Sequence, residues 1–238
     1  TNLRGTRAGE ESTGPDRAVY VWVPPGEFPM GSDEGDEDER PVHRVRITHG
    51  FWLGKCQVTN AQYRAFCDVT GRRFPEGSSG DGDHPVVYVD WEDVQAYCGH
   101  HGLAQPTEAQ WEYAARGPEG RTYPWGDEWD PAKCCNAANK GPAAVTFAVG
   151  SFPEAASWCG ALDMAGNVWE WCADRYEAGY HAGSPLGDPP GPRQGQERVL
   201  RGGCWLDVDP AWFRCSHRNS DPPDARWGST GFRCVYTP

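Results

Sequence analysis

The sequence predicts an α+β domain with little regular secondary structure. Three observations carry this expectation. Helix start and stop signals recur three times between residues 59 and 117 and nowhere later. The 238 residues include 30 Gly and 21 Pro, which punctuate the chain into short segments. The 12 Trp continue through the unpatterned region after residue 118, so that region reads as packed irregular loops and not as a disordered tail.

Residues 1–17, TNLRGTRAGEESTGPDR, are polar and aperiodic and are expected as a linker or N-terminal arm, leaving 18–238 as one domain. YVWVPPGEFPMGS (20–32) opens as a β-run and breaks at Pro24–Pro25. HRVRITHGFWLGKCQVT (43–59) reads as one or two strands, with Val45 and Ile47 alternating with Arg44, Arg46 and Thr48. Thr59 caps a first helix, with Gln62 at the capping-box position, Gly71 as its stop, and Tyr63, Phe66 and Cys67 on one face. A second helix starts at Asp90 and stops near Gly99, with Trp91, Val94 and Cys98 inward. A third pairs Thr107 with Gln110 and ends at Gly117, with Trp111, Ala114 and Ala115 inward. Short strands are expected at 145–150, 168–172, 198–205 and 231–236.

The net charge of −12 opposes binding to nucleic acid or to an anionic membrane. Part of it sits in DEGDEDE (33–39), read as a solvated acidic loop, with a local cation site as the alternative. No apolar run is long enough to span a membrane and no signal peptide opens the chain, which leaves cytoplasm and cell surface both open. The ten Cys are irregularly spaced without a CxxC, which argues for small buried core residues, with one or two disulfides allowed. GxSxG, the P-loop and GxGxxG are missing.

Nine segments stand in a telling order: PPGEFPMGS (24–32), ERPVHRVRI (39–47), LGKCQVTNAQYRAFC (53–67), HPVVYVDWEDVQAYC (84–98), PTEAQWEYAARG (106–117), YPWGDEW (123–129), GALDMAGNVWEWCAD (160–174), RVLRGGCW (198–205) and GFRCV (231–235). Together they resemble the formylglycine-generating enzyme (sulfatase-modifying factor) family. The resemblance implies a C-type-lectin-like fold poor in regular secondary structure. It also implies one of several functions: copper-dependent oxidation of a peptide cysteine, iron-dependent sulfoxide synthesis beside a DinB-like domain, or non-catalytic ligand binding, as in the variable proteins of diversity-generating retroelements.

Copper(I) needs converging thiolates, which the family's oxidases supply from a CxxxxC segment soon after GGS. Here the matching stretch is GGCWLDVDPAWFRC: Cys204 replaces that Ser, the next sulfur is Cys215, and no CxxxxC occurs between 204 and 238. This argues against copper and leans the chain away from catalysis, with an oxidase working through Cys204 and Cys215 as the alternative. The seven His show no HxxxH or HxxxE spacing, and adjacent His100 and His101 suit the carbonyl end of a helix, so iron is disfavoured too.

DMAGNVWE (163–170) is a calcium candidate. Asp163 and Glu170 bracket a Gly-Asn turn, and the carbonyls of Gly166 and Val168 add oxygen ligands; the resemblance implies calcium at the matching positions. The alternative is that Asn167 caps a turn and Glu170 pairs with an Arg. Asn136 and Ala137 match the start of a second family calcium segment, but NAANKGPAAVTFAVG supplies no downstream Asp.

WLDVDPAWFRCSHRNSDPPDARWGST (205–230) mixes large aromatics with short polar side chains between RVLRGG and GFRC, the composition of a recognition surface on a framework. In retroelement variable proteins this interval carries the diversified positions. By that resemblance the candidate ligand contacts are Leu206, Asp207, Val208, Asp209, Ala211, Trp212, His217, Asn219, Asp221, Ala225, Trp227, Gly228 and Ser229. Core packing is the alternative for Trp205 and Trp212. The leading expectation is therefore a non-catalytic ligand-binding protein, a relative of the variable proteins, whose partner is a protein or other macromolecule. A sensor or accessory domain of a larger kinase or protease polypeptide is a further alternative.

Overall fold

The computed structural model describes residues 4–78, 81–140 and 146–238. Strands β1 (Glu11–Thr13) and β2 (Val19–Val23) begin one antiparallel sheet, and β3 (Gly26–Met30) pairs with β4 (His43–Ile47) in a second. Strand β5 (Phe51–Gly54) returns to the first sheet. Helices α1 (Asn60–Thr70), α2 (Trp91–His101) and α3 (Glu108–Arg116) follow. The last third supplies β6 (Trp169–Arg175), β7 (Arg198–Arg201), β8 (Asn219–Asp221), β9 (Thr230–Gly231) and β10 (Val235–Tyr236). The first sheet runs β1-β2-β5-β10 and the third runs β8-β7-β6-β9, so the chain's end closes against its beginning.

The helices form where their caps predict. Thr59 and Thr107 accept from the backbone N–H of Gln62 and Gln110, and both glutamines reach back in capping boxes. Helix α2 runs past Gly99 to His101, two residues beyond the expected stop, because Gly102 and not Gly99 takes the left-handed cap, with φ 67°. The apolar faces are buried as expected, except that Trp91 is only half-buried and donates its ring N–H to the Cys172 carbonyl.

Two expectations are corrected. The stretch 1–17 is not a free arm from residue 11 onward: β1 pairs with β2, and Asp16 is buried under the hydroxyls of Tyr20 and Tyr97 at 3.2 and 3.0 Å. A three-residue edge strand is recruited by its neighbour's open hydrogen bonds, so it carries no hydrophobic pattern to read. No strand occupies 146–150, and residues 141–145 lie outside the described residues.

Candidate functional site

Strand β6 sits between β7 and β9, with Glu170 opposite both Arg201 and Gly231. Around it the frame of the site is ionic and buried. Arg201 is fully buried; it reaches Glu108 and Glu112 on α3 and donates to the carbonyls of Cys215 and Ser216. Arg218 grips Glu108 through Nε at 2.7 Å and Nη2 at 3.0 Å. Burial pushes the Glu108 carboxyl up, but the Arg218 and Arg201 guanidinium groups overcome it and hold it at about 2. Helix α3 is thereby bolted to the strand that enters the segment 205–230 and to the segment's middle at Arg218.

The segment itself separates into exposed and framework positions. Leu206, Val208, Trp212 and Trp227 are 53, 72, 43 and 54% exposed; they are half of the eight large apolar side chains exposed among the described residues. Asp209 is exposed, and Ala211, Asn219, Asp221, Ala225, Gly228 and Ser229 are half-buried. Asp207 and His217, expected as ligand contacts, are buried. Asp207 accepts from the Cys204 N–H at 2.8 Å and closes the 204–207 turn, a job for a frame residue and not for a reader. Trp212 is not a core residue, while Trp205 is half-buried, donating to the Gly228 carbonyl at 3.0 Å with Lys140 over its ring.

The two thiols of this region are buried in different core clusters, Cys204 beside α1 and α2 and Cys215 beside α3. Burial pushes each thiol up to about 12, so neither is a thiolate at neutral pH. All ten cysteines are unbridged, with Cys98 and Cys234 at 3.6 Å between sulfurs.

Three oxygens of the calcium candidate, Glu170 Oε1 and the carbonyls of Gly166 and Val168, converge with the Asp163 carbonyl on a centre filled by protein, whereas the expected Asp163 carboxylate is turned elsewhere and accepts from the Gly150 N–H at 2.6 Å. The side-chain nitrogen of Gln57 lies 3.0 Å from Glu170 Oε1 and 3.3, 3.5 and 3.3 Å from the carbonyls of Asp163, Gly166 and Val168. Its orientation is fixed. Gln57 Oε1 accepts from Asn167 Nδ2 at 3.1 Å, and Asn167 is locked in turn by the N–H and carbonyl of Phe147. Glu170 also accepts from Arg233 Nε at 2.6 Å, Arg233 Nη2 at 2.7 Å and Trp111 Nε1 at 2.8 Å. Those four bonds saturate a carboxylate's lone pairs. The residues as arranged therefore do not fit a calcium ion; Glu170 pairs with an arginine instead. The missed signal was Gln57, far away in sequence. Asn136, at the start of the second calcium segment, is spent on its own loop, donating to the carbonyls of Pro131 and Cys134 and accepting from the Ala138 N–H.

Residues 7–238 match the profile of the sulfatase-modifying factor enzyme 1-like domain. The formylglycine-generating enzyme of Streptomyces coelicolor is 36% identical, over 90% of this chain and 88% of its own. The serine/threonine-protein kinase Pkn1 of Chlamydia trachomatis is 37% identical over 90% of this chain, which spans only 38% of that kinase. Among solved structures, PvdO from Pseudomonas aeruginosa superposes with a TM-score of 0.86 at 27% identity, covering 98% of this chain and all of that one. Treponema denticola variable protein 1 superposes at 0.78 and 23% identity, covering 92% and 95%, and shows the fold alone. The chain belongs to the sulfatase-modifying factor (formylglycine-generating enzyme) family and has that family's variety of the C-type-lectin-like fold.

Proposed function

We propose that this chain is a non-catalytic recognition module that presents 205–230 to a protein ligand, in the manner of a retroelement variable protein. One observation carries the reading: half of the exposed large apolar side chains described stand in this segment, whose entry and middle are held by Arg201 and Arg218. Exposed Trp and aliphatic side chains on a rigid base are what binding energy is drawn from. The buried state of Cys204 and Cys215 supports it from the other side, since a copper(I) site needs two accessible thiolates.

The oxidase is the second reading, favoured by the identity to the Streptomyces enzyme. The test is a copper(I)-loaded, aerated sample given a sulfatase-type peptide containing cysteine. The expected result is an unchanged peptide mass. Conversion of that cysteine to an aldehyde, lost in a Cys204→Ser, Cys215→Ser double variant, overturns the proposal. The finer, diversification reading is tested at the gene: a nearby DNA repeat matching codons 198–235 and differing at adenines supports it, and a locus without one removes it. The identity to the kinases favours a third reading, an accessory domain of a longer polypeptide.

A further inference from the structure

The acidic run 33–39 does not end as a solvated loop. Asp36 precedes a 3₁₀ turn over Glu37–Glu39, and the Glu39 side chain is completely buried. His217 approaches it from the other side, out of the segment 205–230. One oxygen each from Asp36 and Glu39 and one ring nitrogen of His217 lie within 4.8 Å of one another. Glu39 Oε2 and His217 Nδ1 are both buried without a hydrogen-bond partner. His217 Nδ1 stands 3.3 Å from Asp36 Oδ2 and 3.8 Å from Glu39 Oε1, but makes no hydrogen bond with either. His217 Nδ1 is thus a buried ring nitrogen that faces two carboxylates without a hydrogen bond, an arrangement that asks for a shared partner.

We propose that Asp36, Glu39 and His217 form a binding site for a divalent first-row transition ion of the zinc class. Ligand atoms lie about 2.0–2.2 Å from such an ion, so the three need to draw in by less than about 1 Å. Asp36 is exposed, with its carboxylate in the capping box it shares with Glu39. One imidazole nitrogen with two carboxylates and no thiolate selects zinc, manganese or iron(II) over copper(I), and the nitrogen disfavours calcium. Arg214 Nη2 and the Asp36 N–H both donate to Glu39 Oε1, at 2.6 and 3.0 Å, while Oε2 accepts no hydrogen bond. The loop that carries the acids is pinned, since Arg218 Nη1 donates to the Asp38 carbonyl at 2.9 Å and Tyr176 donates to Asp38 Oδ2 at 2.7 Å. Gly35 covers the carboxylate: a Cβ there would lie 2.2 Å from Glu39 Oε2. The ion would tie this loop to the base of 205–230, whether or not that segment recognises a ligand.

Metal-stripped protein titrated with zinc(II), against a competing chromogenic chelator, and with cobalt(II), followed by absorption, tests the site. One ion per chain is expected, with a cobalt spectrum free of thiolate charge-transfer bands. Affinity should fall about tenfold or more in Asp36→Asn and in His217→Gln. Circular dichroism of both variants should match the parent, so a fold defect is told apart from a lost ligand; a variant that fails to fold is replaced by Asp36→Ala, at an exposed position. No binding at about 1 mM metal, binding unchanged in both variants, or a thiolate band each overturns the proposal.

Discussion

Arg233 holds Glu170 through both carboxylate oxygens, Nε to Oε2 at 2.6 Å and Nη2 to Oε1 at 2.7 Å, with both side chains buried. The same guanidinium reaches the carbonyls of Gly54, Lys55, Leu162 and Asp163, so one arginine ties β5, the 160s turn, β6 and the approach to β10 together. Removing one partner strands the other charge. Arg233→Met is expected to cost about 3–5 kcal/mol, read as a lowered urea midpoint. A loss under about 1 kcal/mol would show that the pair is solvated in solution.

The exposed and buried positions of 205–230 should answer mutation differently. Val208→Asp and Leu206→Ser alter only surface and should change stability by no more than about 0.5 kcal/mol. Asp207→Ala removes the acceptor of the Cys204 N–H and should cost about 1–3 kcal/mol. Thermal denaturation of the three variants checks the division; equal losses at all three would deny it.

Stability should fall on both sides of a mildly acidic optimum. Burial, with Glu108 nearby, pushes the Asp174 carboxyl from 3.8 up to about 7. The folded protein therefore keeps a proton that the unfolded chain sheds, and stability declines as pH rises from about 4 to about 7, then levels. Glu108 acts oppositely: held at about 2 against an ordinary 4.5, it contributes stability above 4.5 that is lost as pH falls toward 2. Urea midpoints against pH should peak at about pH 4–5, and Asp174→Asn should make the neutral limb shallower, with Asp163, pushed up to about 6 by burial, supplying the remainder. A variant with the parent's slope would place the titration elsewhere.

Thiol chemistry should be silent in the folded state. Nine of the ten cysteines are buried and Cys56 is half-buried, its thiol also raised to about 12 by burial. A neutral-pH thiol reagent should label the native protein slowly and all ten positions once urea unfolds it. Rapid labelling of Cys204 or Cys215 in the native protein would revive the oxidase.

Calcium should leave thermal unfolding unchanged, because Gln57 fills the oxygen cage and Glu170 has no lone pair to give. Gln57→Glu puts a second carboxylate where the amide donor stood and should confer a calcium-dependent rise in melting temperature. A calcium-dependent rise in the parent itself would mean that Gln57 swings aside.

Local signals determined much of this protein. The caps at Thr59, Asp90 and Thr107 and the left-handed stop at Gly71 fix three helices from neighbours within four residues, so they are legible without a fold. The ordered motifs named the family, and the missing CxxxxC was visible as an absence. Tertiary structure alone decided the roles inside the site. Asp207 and Asp209 look alike in sequence, yet one closes a buried turn and the other stands exposed. The oxygens of 163–170 spell a cation cage until Gln57, more than a hundred residues earlier, fills it. Glu39 reads as one more solvated acid until Gly35 and Arg214 enclose it beside His217. The physical reason is shared: backbone geometry is set by short-range sterics and capping, whereas burial, lone-pair saturation and charge pairing depend on groups the chain brings together only when folded.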